Sequence, residues 1–328
     1  MAGDLGLTEI AVLEAGRPPG RVLHRFGRVS IVSPEPGMAA PRAPEELAPD
    51  DLDETERLGL AALRLRESDE FLAAKRSRPR DGQPWEMTDC TTVEPPPRPA
   101  PGAPAEPTSA FLEGSVAVGI VIVQGPTSGL ELSEAQRTKV VAEVQNGLGF
   151  FMETNPVAGI TFSFDIHNVQ LDVPPDPEAE SLEAVWRDPA MASLGFSDVV
   201  DFVEDLRARL GTRWAYCGFF TKYPVEHFAY ASIGGPRLVM HYDNDGWGPD
   251  NIDRVFAHET AHVFGAPDEY AGSGCDCGGS WGRFGLPNGN CESCAAGGGV
   301  DCLMRENTWA LCSFTPGHLG WTAGAPPS

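Results

Sequence analysis

The sequence predicts an α/β fold, because strand and helix patterns alternate along its last two thirds. Residues 115–123 form a nearly continuous β-branched apolar run, which is typical of a strand covered on both faces. The patterns that follow end in a helix that contains His258 and His262, and this order predicts helices packed against a twisted mixed sheet. Between these two elements we expect a helix from Ser133, a strand at 160–166, a helix at 197–210 and strands at 214–220 and 237–242.

Start and stop residues support both intermediate helices. Ser133 is a good N-cap, and apolar residues recur on one side of the following helix until Gly147 or Gly149, where we expect it to end. The helix at 197–210 also has an apolar side, and Gly211 is its predicted stop. Each helix therefore has one face suited to packing on the sheet.

The sequence predicts less regular structure in the first third of the chain. Residues 1–93 form a partly disordered N-terminal segment, in which a short strand pair at 21–26 and 28–32 precedes a proline-rich stretch. One helix is expected from about residue 50 to Lys75, because leucines recur there at near-helical spacing. Residues 94–110 are a proline-rich linker of polyproline type, so the main domain spans 111–328.

The composition limits the classes of partner. The chain has 328 residues and a net charge of −23, which argues against nucleic acid as a partner, since phosphate binding relies on clustered Lys and Arg. No apolar run approaches the roughly 20 residues that a membrane helix needs. The first residues show neither a basic stretch nor an apolar core, so no secretory signal is visible.

The residues of the last predicted helix point to a metal. His258 and His262 lie four positions apart, so a helix places both imidazoles on one face, where they can bind the same divalent ion. Glu259 is rotated by about 100° around the axis and lies beside that ion. A general base for a metal-bound water is expected at that place.

The residues after this helix predict the third ligand. Gly265 lets the backbone leave the helix sharply, and Pro267 prevents the helix from resuming. The turn brings Asp268 back towards the two histidines. Two imidazoles and one carboxylate leave the fourth position of a zinc ion open for water, as a catalytic site requires.

The run from His258 to Asp268 resembles the metzincin metalloprotease signature HExxHxxGxxH, with Asp in the third ligand position as in the snapalysin-like branch. The resemblance implies a metzincin-like catalytic domain with an active-site helix, which in this chain is followed by a Cys-rich, irregular C-terminal subdomain. It also implies a Met-turn below the zinc, where Met304 stands at the expected distance. If Asp268 does not reach the metal, Glu269 is the next candidate ligand.

The cysteines allow several interpretations. Six of the eight lie near the C-terminal end, and these are Cys275, Cys277, Cys291, Cys294, Cys302 and Cys312. Three disulfides, a tetrathiolate zinc site on the Cys-x-Cys and Cys-x-x-Cys pairs, or free thiols are all compatible with the spacing. The compartment stays open, because disulfides favour secretion and the first residues do not. Cys90 would cap the zinc if the N-terminal segment were a propeptide, and a docking role is the alternative.

These observations predict a zinc-dependent endopeptidase that acts on a protein or peptide substrate. His258, His262 and Asp268 hold Zn²⁺, and Glu259 activates the metal-bound water. The alternative is a non-catalytic zinc-containing binding protein that uses its Cys-rich tail for interactions. A calcium ion at the acidic turn 243–250 is a further possibility, although a turn in which Asp250 or Asn251 caps the next helix explains the same residues. Oligomeric state is not predicted.

Overall fold

Strands from residues 10–34 and from residues 115–241 join in one mixed sheet. The computed structural model describes residues 9–13, 20–34, 51–85, 107–243 and 246–321. The strands in these ranges are β1 (Ile10–Leu13), β2 (Gly20–Phe26), β3 (Val29–Pro34), β4 (Ser115–Gln124), β5 (Thr161–Gln170), β6 (Trp214–Thr221), β7 (Ala229–Ala231) and β8 (Arg237–His241). They lie in the order β1-β3-β2-β5-β4-β6-β8-β7.

The centre of the sheet is parallel. Strands β2, β5, β4, β6 and β8 run in one direction, whereas β3 and β7 run antiparallel to their neighbours β2 and β8. Strand β1 pairs antiparallel with β3 at the edge. The prediction of a mixed sheet is therefore confirmed.

Helices pack on both faces of this sheet. The helices in the described residues are α1 (Glu54–Arg66), α2 (Asp69–Arg76), α3 (Glu134–Thr154), α4 (Leu182–Ser193), α5 (Val199–Leu210), α6 (Ile252–Val263) and α7 (Thr315–His318). Helices α1, α3 and α6 share one apolar core, and α4 and α5 share the other. Strand β4 sends Val118 and Ile120 into the first core and Val121 into the second, as its continuous apolar run predicts. No helix in the described part of the chain is long and apolar enough to cross a membrane.

The N-terminal segment contributes to this core. The predicted strand pair is confirmed as β2 and β3, and β2 forms a parallel pair with β5. The prediction of one helix up to Lys75 is wrong, because α1 ends at Arg66 and Ser68 caps a second helix, α2, by accepting a hydrogen bond from the Phe71 amide. The division into 1–93, 94–110 and 111–328 stays a prediction. Cys90 and most of that linker lie outside the described residues.

Helix α3 is longer than its glycines predict. It continues through Gly147 and Gly149 to Thr154, so the predicted stop is wrong. A Cβ atom at position 147 would lie 2.3 Å from the main-chain oxygen of Asp253 in α6. Gly147 is therefore the position at which α3 and α6 approach each other closely, and it does not act as a helix stop.

A buried cluster of charged side chains connects α2, α3 and α6. Arg78 Nη2 donates to Asp253 Oδ2 at 2.8 Å, and Lys75 Nζ lies 3.0 Å from the same carboxylate. Lys75 also contacts Glu143 of α3. Burial alone would raise the pKa of Asp253, but Arg78 and Lys75 lower it well below its usual range. This ion-pair cluster holds the residues around α2 against the start of α6.

We expect Arg78→Met to lower the free energy of unfolding by about 3–5 kcal/mol, because it leaves Asp253 buried with one of its two cations missing. Urea unfolding followed by circular dichroism measures the change. The matched control is Arg209→Met, since Arg209 pairs with Asp165 and Asp205 at an exposed position. The control should lose about 1 kcal/mol or less. Equal losses in the two variants would contradict the importance given to the buried cluster.

Candidate metal centre

Helix α6 carries its polar side chains inside the protein. All twelve of its residues are buried, including His258, Glu259 and His262. The helix is held from the sheet side by stacking of Phe256 on Phe220, and by a 3.0 Å hydrogen bond between the hydroxyls of Tyr216 and Thr260. A helix that is buried on every side cannot leave its charged groups to solvent, so they require partners inside.

The turn after α6 has the geometry predicted from its glycine. Gly265 has φ of +98°, which a residue with a side chain adopts only with strain. The Gly265 amide donates to His262 O at 2.8 Å, and the Ala266 amide donates to Ala261 O at 2.9 Å. The chain thus reverses immediately and carries Asp268 back to the histidines.

Three donor atoms meet at this point. His258 Nε2 and His262 Nε2 are 3.0 Å apart, and each lies 3.1 Å from Asp268 Oδ1. Ligands about 2.0–2.1 Å from a tetrahedral zinc ion are separated by about 3.3 Å. The three atoms therefore form a nearly equilateral triangle of almost the size that such an ion needs, and these residues fit a zinc ion.

The other ring nitrogen of each histidine is held by a carbonyl. His258 Nδ1 lies 2.9 Å from Leu303 O, and His262 Nδ1 lies 2.7 Å from Ala266 O. A carbonyl only accepts hydrogen bonds, so each Nδ1 carries a proton, and each Nε2 is the nitrogen that faces the centre of the triangle and can bind a metal. This is the usual arrangement around histidines that bind metals.

Glu259 lies beside the triangle without a hydrogen-bond partner. It is 1% exposed, and neither carboxylate oxygen has a partner within the described part of the chain. Burial raises the pKa of Glu259, while His258 and His262 act in the opposite direction. A buried carboxylate with both oxygens unpaired is costly, which points to a further group at this place.

Without an ion, the Asp268 carboxylate favours a proton on His262. Burial alone would lower the pKa of His262, but the Asp268 carboxylate raises it to about 9. The two histidines in turn lower the pKa of Asp268 below its usual range, against the effect of burial. A divalent ion at this site would therefore compete with a proton on His262.

Two further parts of the chain support His258. Leu303 O, which accepts from His258, also accepts from Trp85 Nε1 at 2.7 Å. The Trp85 ring lies edge-on to the His258 ring, with 5.4 Å between their centroids. Sequence reasoning missed Trp85, because no spacing rule links it to a histidine so distant in the chain.

Met304 is fully buried, and its carbonyl accepts from the Glu269 amide at 2.9 Å.

The remaining candidates lie outside the triangle. Glu269 directs its carboxylate to Asn290 and Cys312, so it is not the third residue of the triangle.

At the acidic turn 243–250, Asp250 forms an ion pair with Lys139, and residues 244 and 245 lie outside the described part. The expected cap on α6 is wrong, because the Asn251 side chain makes no capping bond and donates to Trp247 O.

The cysteines resolve into two groups. Cys275 pairs with Cys291, and Cys277 pairs with Cys294, so these four sulfurs cannot form a tetrathiolate zinc site. Cys302 and Cys312 are buried free thiols, so two of the three possible disulfides are present in the described residues. The Cys-rich C-terminal region is therefore cross-linked, as its low apolar content suggests.

We expect His262→Ala to abolish zinc binding at this centre, because two donors hold the ion far more weakly than three. Elemental analysis of the purified variant and equilibrium dialysis against zinc measure this. His241→Ala is the matched control, since His241 ends β8 and is not part of the triangle. Unchanged zinc content in the His262 variant would contradict the assignment.

The affinity of the centre for zinc should rise with pH. Because His262 in the ion-free protein has a pKa of about 9, zinc must displace its proton at lower pH. We expect the association constant to rise about tenfold per pH unit between about pH 6 and pH 8. Titration calorimetry in buffers with different ionisation enthalpies counts the released protons. An affinity independent of pH would contradict the protonated state of the ion-free site.

Comparisons with known proteins do not assign the chain to a family. No protein-family model matches it, and no curated protein sequence matches it. A solved structure described as metalloproteinase-II from Bacteroides fragilis is similar over 80% of this chain and 69% of that one, with 13% identity and a TM-score of 0.33. A TM-score of this size does not establish a common fold. The function must therefore be inferred from the chemistry of the site.

Proposed function

We propose that the protein is a zinc-dependent endopeptidase of metzincin type, with Glu259 as its general base. The observation that carries the proposal is the triangle of His258, His262 and Asp268 donor atoms, 3.0 to 3.1 Å apart, with the unpartnered Glu259 carboxylate beside it. A site that only stabilised the fold would have a fourth protein ligand and no need for such a carboxylate. The open position and the base together favour hydrolysis.

The donor set favours zinc. Two neutral imidazoles and one carboxylate suit zinc, whereas magnesium and calcium prefer oxygen ligands throughout. When bound, zinc would polarise the scissile carbonyl and make a water molecule more acidic. His258, His262 and Asp268 would hold it, each histidine through Nε2.

Glu259 is suited to transfer a proton from the attacking water to the leaving amine. As a carboxylate it accepts a proton from the attacking water, and as a carboxylic acid it donates that proton to the leaving amine. Burial raises the pKa of Glu259 above that of an ordinary carboxyl group, which makes its carboxylate a stronger proton acceptor. Glu259 follows His258 on the buried helix α6, beside the proposed zinc ligands.

The residues around the site keep it rigid. Leu303 and Ala266 orient the two histidines through their carbonyls, and α6 is buried along its whole length. Preorganised ligands lose little entropy when the ion and substrate bind. The substrate is proposed to be a protein or peptide, and the net charge of −23 favours basic segments over acidic ones.

We expect Glu259→Gln to retain zinc and to lose hydrolysis by at least about 10²-fold, because an amide cannot accept the proton of water. A quenched-fluorescence peptide library reports activity, and elemental analysis reports zinc in the same samples. The matched control is Glu204→Gln, since Glu204 is exposed on α5. It should retain full activity.

Two results would overturn the proposal. A Glu259→Gln variant with wild-type activity would exclude the general base. A zinc-loaded wild type that binds peptides and hydrolyses none of the library would instead support the alternative of a non-catalytic binding protein.

A further inference from the structure

Glu269, which follows Asp268 in the chain, belongs to a second group of side chains of the types that bind metals. The Glu269 carboxylate and the thiols of Cys302 and Cys312 have ligand atoms that all lie within 4.8 Å of one another, and all three residues are buried. From this group we propose a second, structural zinc site, separate from the triangle of His258, His262 and Asp268. This site does not depend on peptidase activity.

The separations in the group suit such an ion. Cys312 Sγ lies 3.0 Å from Glu269 Oε1. Thr315 Oγ1 is a fourth polar atom in contact with the group. It lies 3.2 Å from Cys302 Sγ, 3.3 Å from Cys312 Sγ and 3.3 Å from Glu269 Oε1. Sulfur and oxygen ligands of a tetrahedral zinc ion, at about 2.3 and 2.0 Å from it, are about 3.5 Å apart. Small shifts of the side chains would admit the ion.

Main-chain amides are directed at one of the sulfurs. The Phe314 and Thr315 amides lie 3.3 and 3.5 Å from Cys312 Sγ and donate to it. Amide donors of this kind stabilise an anionic sulfur, and the thiolate is the form that binds metals. A neutral disulfide sulfur at this place would gain little from them.

The carboxylate is oriented from outside the group. Asn290 Nδ2 donates to Glu269 Oε2 at 2.7 Å. The same amide is fixed by Val300, whose carbonyl accepts from Nδ2 at 3.0 Å and whose amide donates to Oδ1 at 2.7 Å. A buried side chain that positions a carboxylate ligand in this way is typical of the residues around metal ions.

A disulfide between Cys302 and Cys312 explains the group less well. It would remove the thiol that donates to Glu269 and leave this buried carboxylate with Asn290 and Thr315 as its donors. Binding of a divalent zinc ion instead releases one proton from each thiol to solvent. The two thiolates and the carboxylate then each bind the cation directly.

The position of the group assigns it a structural role. Glu269 follows Asp268, and Cys302 precedes Leu303, whose carbonyl holds His258. An ion bound by both would connect the two chain segments that support the candidate zinc centre. The region between them is rich in glycine and cannot fold by apolar burial alone, so a metal would add stability where it is needed.

Cobalt substitution of the full chain tests the proposal. Thiolate ligands give cobalt(II) a charge-transfer absorption in the near ultraviolet, which imidazole and carboxylate ligands do not. We expect two cobalt ions per chain and this absorption in the wild type. His262→Ala should keep the absorption and hold one ion. The double variant Cys302→Ser, Cys312→Ser should lose the absorption and hold one ion, and the control Cys217→Ala should match the wild type.

A second measurement needs no variant. Alkylation of Cys302 and Cys312, located by peptide mass mapping, should slow at least tenfold when the protein is loaded with zinc, whereas Cys217 should not change. A Cys302 to Cys312 disulfide in the purified protein, or cobalt binding without the thiolate absorption, would overturn the proposal. Two bound ions without hydrolysis would refute only the peptidase function.

Discussion

The burial of α6 is the constraint on which the rest of the structure depends. A helix with two histidines and a glutamate on its surface is stable inside a protein only if each polar group has a partner or a ligand. The carbonyls of Leu303 and Ala266 satisfy one nitrogen of each imidazole, and Asp268 approaches the other nitrogens. The turn after α6 and the 302–304 loop thus supply the partners that the buried histidines of this helix require.

The N-terminal part of the chain participates in the same arrangement. Trp85 donates to the carbonyl that orients His258, and Arg78 neutralises Asp253 at the start of α6. Both residues precede the proline-rich stretch, and both contact elements that follow it. The order of the chain therefore separates residues that the fold brings together. Removal of this part would expose one side of α6 and leave a buried carboxylate without its main cation.

Local patterns explain how much the sequence could predict. The helix, its histidine spacing and the turn at Gly265 follow from short-range geometry, and these elements occur where they were expected. The pairing of cysteines, the contact of Trp85 with His258 and the continuation of α3 through Gly147 depend on distant segments. Glycine illustrates the difficulty, because at position 147 it permits two helices to touch, whereas at position 265 it ends one.

The two disulfides cross each other along the chain, and this connectivity affects how the protein responds to damage. Cys277 lies inside the loop closed by Cys275 and Cys291, and Cys294 lies outside it. A single break in the main chain between Cys277 and Cys291 would leave both new ends covalently attached, each through its own bridge. Crossed bridges let this exposed, glycine-rich region be nicked without losing a fragment or releasing the turn that carries Asp268.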